Sequence, residues 1–186
     1  MRLFTALDLA SEHKRLLSSL RRPIPGVIWY PPQTYHLTLR FMGEIRARPQ
    51  LEEIDHALSA ISVPPFDLEL AGVGVFSRPT RSRLWVGVPP SEPLTALQAK
   101  IESALRRAGL PPEKRRFTPH ISLGVFQGDQ SPEIVRWVQT HNLLRGAEAH
   151  VEHFTLFHSH KTSDEPHYEP CADYPLDLRA LPRVEA

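Results

Sequence analysis

His36-Leu37-Thr38-Leu39 and His120-Ile121-Ser122-Leu123 are two copies of one pattern, a histidine followed two residues later by a hydroxyl, each set in an apolar run that reads as a β-strand. Side chains alternate between the faces of an extended chain, so His36 and Thr38 share one face while Leu37, Leu39 and Phe41 share the other. His120 and Ser122 repeat the arrangement. Two imidazoles, each with a hydroxyl beside it, suit reaction at a phosphoester, where a proton is removed at one oxygen and delivered at another.

The two motifs lie 84 residues apart, and their surroundings repeat at nearly the same offset. Residues 3–7 and 84–88 both read as short buried strands. Helical periodicity follows each, over 11–21 (Leu16, Leu17, Leu20) and over 92–108 (Leu94, Leu97, Ile101, Ala104, Leu105). Beyond the motifs, the helical pattern of 50–61 matches that of 131–142, where Pro132 suits a first turn. Residues 66–70 alternate as a strand, and 150–158, which alternate poorly, are a strand by analogy with them. Each segment therefore reads β-α-β-α-β with one more strand. The chain is expected to be one domain, 1–186, holding an internal repeat of about 1–81 and 82–186.

Composition sets outer limits. At 186 residues the chain is long enough to bury a substantial core. Lys plus Arg number 22 and Asp plus Glu 21, so there is no global polycation, and any contact with nucleic acid must use a local patch. The candidates are Arg78, Arg81 and Arg83, or Lys114, Arg115 and Arg116. A single cysteine, Cys171, excludes an internal disulfide. The start lacks a long apolar h-region and no stretch is long enough to span a bilayer, so a cytoplasmic protein is expected. Proline pairs at 31–32, 64–65, 89–90 and 111–112 fall between the periodic segments, and 159–166 reads as a loop.

Five histidines, His150, His153, His158, His160 and His167, crowd one region, with no HExxH, no paired cysteine and no carboxylate at ligand spacing in the sequence. They read as exposed strand and loop residues, and no metal site is expected. His13, His56 and His141 fall in helical segments and are expected at the surface.

The chain resembles the two-histidine (2H) phosphoesterase superfamily, in particular the bacterial and archaeal RNA 2′,3′-cyclic phosphodiesterases of the 2′-5′ RNA ligase family. The resemblance runs nearly end to end, through 2–8, Trp29-Tyr30-Pro31-Pro32, 36–44, Gly74-Val75-Phe76, 84–88, Phe117-Thr118-Pro119-His120-Ile121-Ser122-Leu123, Tyr168-Glu169-Pro170 and Tyr174-Pro175-Leu176. It implies a bilobal, pseudo-symmetric α+β fold, with two antiparallel sheets lining a central cleft and helices outside. It implies hydrolysis of an RNA-terminal 2′,3′-cyclic phosphate to a 2′-phosphate without metal or other cofactor, and a reversible 2′-5′ ligation in some members. The expected partner is RNA with such an end, tRNA halves included, met by a monomer.

By the same resemblance His36 is the general acid and His120 the general base, with Thr38 and Ser122 on the phosphoryl oxygens. Phe41 takes the position of the base-stacking aromatic, which on strict alternation requires a bulge to reach the face of His36. Val125 stands where relatives often carry arginine. Phe126, or an arginine from elsewhere, is the expected substitute, and Arg40 and Tyr35 complete the candidate substrate contacts. Two other readings stay open: a 2H phosphoesterase for small cyclic or 2′,5′-linked nucleotides, and a non-catalytic RNA-binding module of the same fold.

Overall fold

The first strand, β1 (Arg2–Asp8), is buried over five of its seven residues because it runs through the middle of a sheet, with neighbours on both edges. The computed structural model describes residues 1–146, 148–160 and 166–177. The order continues with α1 (Ser11–Ser19), β2 (Ile28–Trp29), β3 (His36–Glu44), α2 (Arg48–Ser59), β4 (Phe66–Leu68) and β5 (Val73–Phe76). Then come β6 (Ser82–Gly87), α3 (Glu92–Arg107), β7 (His120–Phe126), α4 (Pro132–His141), β8 (Ala149–Val151), β9 (His153–His160) and β10 (His167–Pro175). Pro32–Thr34 form a 3₁₀ turn ahead of β3.

Among the described residues the sheet runs β10-β9-β1-β3-β7-β6-β5, with β2 also on β7, and β4 pairs β8 in a second, two-stranded sheet. The expected cleft sheets are the two wings of this path, β10-β9-β1-β3 and β7-β6-β5. They meet at one pair, Leu37 opposite Ile121. With β1 matched to β6, β3 to β7 and β5 to β9, the order from β9 to β5 reads the same from either end. The closing strand of each sequence segment pairs with the opening strand of the other, β5 with β6 and β9 with β1. The wings therefore do not follow a division of the chain near residue 81.

One core lies behind the sheet. Leu37, Leu39, Ile121 and Leu123 from the motif strands join Leu17 of α1, Ile54 and Leu58 of α2, Leu97 and Ile101 of α3, and Ile134 and Trp137 of α4 in a single buried cluster. Helical spacing delivers these side chains to one stripe of each helix, which is why the periodicity was readable. Ser91 and Ser131 cap α3 and α4, each Oγ accepting from the amide three residues on, and a proline follows in each first turn. No helix among the described residues is long and apolar enough to cross a membrane.

Some sequence expectations fail for physical reasons. The poor alternation of 150–158 arises because two strands occupy it: β8 pairs β4, β9 pairs β1, and Glu152 separates them. β10, which no apolar pattern announces, is an edge strand with Pro170 and Pro175 in it, and an edge tolerates missing donors and polar side chains. The loop expected over 159–166 is strand as far as His160, and 161–165 lie outside the described residues. His13 is buried rather than superficial.

Candidate active site

β3 and β7 lie side by side and antiparallel, which sets the two motif strands on adjacent tracks of one sheet. Leu37 and Ile121 point back into the core and are fully buried, so His36, Thr38, His120 and Ser122 point to the opposite, open face. His120 is close enough for its charge to bear on the protonation of His36.

Both imidazoles are oriented alike. His36 Nδ1 lies 2.7 Å from the Thr34 carbonyl oxygen and His120 Nδ1 lies 2.7 Å from that of Thr118, each two residues back. A carbonyl only accepts, so Nδ1 carries the hydrogen in both rings and Nε2 is left as the nitrogen for proton transfer. His36 Nε2 is 3.1 Å from Thr38 Oγ1, which ties the histidine and hydroxyl of the first motif together.

Aromatic rings wall both histidines. His36 has Phe4 at 5.0 Å between ring centroids, the edge of Tyr168 at 4.9 Å, and Phe157 at 6.2 Å. His120 has Phe76 edge-on at 4.8 Å, and Phe76 in turn packs on Trp85 at 5.1 Å. Gly74 is required here, because a Cβ at that position would lie 2.3 Å from the Trp85 ring. This burial pushes His36 down from 6.5 to about 4, against the opposing pull of the Thr34 carbonyl and Asp8. His120 is also held below its ordinary value, mainly by burial and further by Arg83.

Matching bulges decide what else reaches the cleft. Between β1 and β3, Thr38 faces Ala6 and Arg40 faces Thr5, so Leu39 is the extra residue. Between β6 and β7, Ser122 faces Trp85 and Gly124 faces Leu84, so Leu123 is extra. Each extra residue reverses the alternation beyond it. Phe41 thereby stands opposite Phe4, on the face of His36, as its expected role required. Val125 comes to the face of His120, and its cross-strand neighbour is Arg83. Arg2 lies over the Phe41 ring, 4.9 Å from its centroid.

Three expected contacts are turned away from the cleft, Arg40 and Phe126 by these bulges and Tyr35 by plain alternation with its neighbour His36. Arg40 turns to the core side, 6% exposed, and its guanidinium is engaged by Glu102, by Glu113 at 3.6 Å, and by the carbonyls of Phe41 and of Pro111 at 2.6 Å. It ties β3 to α3 and the segment after it rather than facing substrate. Phe126 stands opposite Ser82 on the core side and is buried. Tyr35 is 1% exposed in the core. Conversely, Phe4, Phe76, Trp85, Phe157, Tyr168 and Arg83 line the site without having been singled out as its residues. Phe4, Trp85 and Phe157 sit in stretches whose repetition is visible, Phe76 and Tyr168 in stretches that carry only the family resemblance, and Arg83 is legible only as one charge of a candidate basic patch.

Two histidine-hydroxyl strands side by side on an open sheet face, with helices behind, define a two-histidine phosphoesterase. The chain belongs to the 2′-5′ RNA ligase superfamily, whose family model matches residues 9–163. It is 33% identical over 140 residues to the RNA 2′,3′-cyclic phosphodiesterase of Aeropyrum pernix, covering 74% of this chain and 79% of that one. To the RNA 2′,3′-cyclic phosphodiesterase of Archaeoglobus fulgidus it is 29% identical over 173 residues, covering 91% and 97%. The structure superposes on Escherichia coli LigT crystallised with 3′-AMP at a TM-score of 0.77, with 25% identity and coverage of 94% and 97%. A protein of Thermus thermophilus gives a TM-score of 0.75 at 26% identity, covering 95% and 98%.

The His36 shift has a consequence for stability. Its folded value, about 4, lies below the unfolded 6.5, so between those values the unfolded chain binds more protons. Stability then rises with pH across that window and is lost as pH falls through it. Thermal unfolding followed from pH 7 to pH 4 is expected to show this decline, and His36→Gln to flatten it. An unchanged slope in the variant would place the acid sensitivity elsewhere.

Proposed function

We propose that this cleft hydrolyses a 2′,3′-cyclic phosphate at the end of an RNA, with one imidazole as base and the other as acid. The observation that carries the reading is the matched pair of histidines, each with Nδ1–H given to a carbonyl and Nε2 left for proton transfer. The names of the A. pernix and A. fulgidus relatives support the substrate class. The proposed substrates include ends of this kind on tRNA halves, processed by a cytoplasmic monomer.

Written as bonds and protons, water attacks phosphorus while His120 Nε2 takes its proton. The P–O3′ bond breaks as the His36 imidazolium gives its proton to O3′, leaving a 2′-phosphate and a free 3′-hydroxyl. Thr38 and Ser122 donate to the non-bridging oxygens, where negative charge stays concentrated. Both imidazoles are neutral in the empty cleft near pH 7, since burial lowers both. The phosphodiester anion supplies the counter-charge that stabilises an imidazolium beside it. Attack by an RNA 5′-hydroxyl in place of water gives a 2′-5′ linkage in the same geometry.

Phe41 serves as the stacking platform for the terminal base, with Arg2 on one face of the ring and the base on the other. Arg83, opposite Val125, supplies the cation that the family resemblance would lead one to expect at position 125 itself. A second reading is favoured by one observation. His36 is driven down to about 4, the deeper depression of the two, which suits a standing base and would make His120 the acid.

Replacing His36 or His120 with Ala is expected to lower kcat by about 10²–10⁴ each, with the double variant far short of the product because acid and base act as one unit. Turnover in EDTA is expected to match turnover without it. A folded single variant with near wild-type turnover would overturn the two-histidine mechanism. Arg83→Ala is expected to lower kcat/KM for a cyclic-phosphate oligonucleotide by about tenfold, the worth of one charge-assisted contact, while Arg83→Lys retains most of it. Equal activity in Arg83→Ala would remove Arg83 from the substrate site.

The product end tests the role assignments. Water attacks in line with the leaving oxygen, so the oxygen beside the acid is the one released. Comparison with 2′- and 3′-phosphate standards is expected to give the 2′-phosphate. A predominance of 3′-phosphate would mean that either the acid and base roles of His36 and His120 or the orientation of the terminal base is the reverse of that proposed.

A further inference from the structure

The core-side face of the β9–β10 ribbon carries a cluster that the cleft chemistry does not use. The strand register sets Glu169 opposite His158 and His167 opposite His160, and opposed residues in an antiparallel pair share a face. The rings of His158 and His160 are 4.0 Å apart between centroids, and those of His160 and His167 5.3 Å. Glu169 Oε2 lies 2.8 Å from His160 Nε2 and 3.9 Å from His158 Nδ1. One donor atom from each of His158, His160 and Glu169 falls within 4.8 Å of the others. Sequence spacing places no carboxylate among these histidines; strand pairing brings Glu169 to them.

We propose that His158, His160 and Glu169 form a binding site for a divalent transition-metal ion of the zinc type. Two imidazoles and a carboxylate are a zinc donor set, and ligands about 2.0–2.2 Å from a tetrahedral ion stand roughly 3.3–3.5 Å from one another. The Glu169 carboxylate, 2.8 and 3.9 Å from the two imidazole nitrogens, brackets that spacing. Their side chains are 20%, 37% and 59% exposed, so an ion reaches them from solvent. His167 is the neighbour placed to take or support the fourth position, otherwise held by water. The ion would clip β9 to β10. The alternate residues of these strands, Phe157 and Tyr168, face the cleft and pack on His36, so the ion lies behind the site and orders its wall without touching substrate. This inference does not rest on the reading of the substrate.

The test is calorimetric titration of metal-stripped, untagged protein with zinc chloride, with thermal unfolding of the same samples. The expected result is saturable one-to-one binding that raises the melting temperature. His160→Ala and Glu169→Gln should each weaken binding by about tenfold or more, while retaining basal turnover and the metal-free melting temperature. His36→Ala should bind zinc like the wild type. The proposal is overturned if the wild type shows no saturable binding, or if both ribbon variants bind unchanged. It is equally overturned if binding disappears in His36→Ala alone, which would place the ion on the catalytic pair.

Discussion

The contact between β3 and β7 at Leu37 and Ile121 is the constraint on which the site depends. Among the described residues it is the single pair joining the two wings of the sheet, and both side chains are fully buried. Because side chains alternate, fixing these two aliphatic positions into the core fixes the preceding and following residues to the open face. A slip of one residue by either strand would send that strand's histidine into the core and away from the other. The hydrophobic energy of the core thus specifies the position of two polar catalytic groups that contribute little to it themselves.

What that geometry produces electrostatically is a pair of imidazoles poorly disposed to carry charge. The Thr34 and Thr118 carbonyls favour the protonated rings, and Asp8 does the same for His36, yet burial among aromatic rings outweighs them. The partner of Nδ1 is a backbone carbonyl in both rings, in contrast to catalytic histidines that are held by a carboxylate. A carbonyl fixes the tautomer without fixing a charge. Protonation is therefore left to the bound anion, which couples the readiness of the acid to the presence of substrate.

Much of this was legible in the sequence, and the rest was not for identifiable reasons. The four helices and the motif strands follow from periodicity, since packing against one core imposes it on each. The bulges at Leu39 and Leu123 leave no such trace: both are leucines in apolar runs, indistinguishable from regular strand residues. They nevertheless decide that Phe41 faces the cleft and that Arg40 does not. Arg40 looked like a cation beside the motif, and only the fold reveals Glu102 and Glu113 behind it. Arg83 and Val125 are 42 positions apart in sequence, so their adjacency exists only through pairing of β6 with β7.

The exchange of closing strands carries further consequences. Phe157, on β9, comes from the later part of the chain and walls His36 from the earlier part; Phe76, on β5, comes from the earlier part and walls His120 from the later. Phe4 and Trp85, on the opening strands, pack on those same rings at 5.3 and 5.1 Å. Each histidine therefore has a ring from the other segment among those that bury it. Either segment alone would lack half of its own histidine's surroundings and one edge of its sheet, so the tuned pair exists only when both are folded together. Two strands among those described break the symmetry: β2, which pairs β7, and β10, which brings Tyr168 to the ring of His36. Tyr168 adds to the burial that Phe4 and Phe157 already give His36. Charge differs as well: Asp8 and Lys14 act on His36 and Arg83 on His120, so two residues whose motifs are alike stand in unlike surroundings.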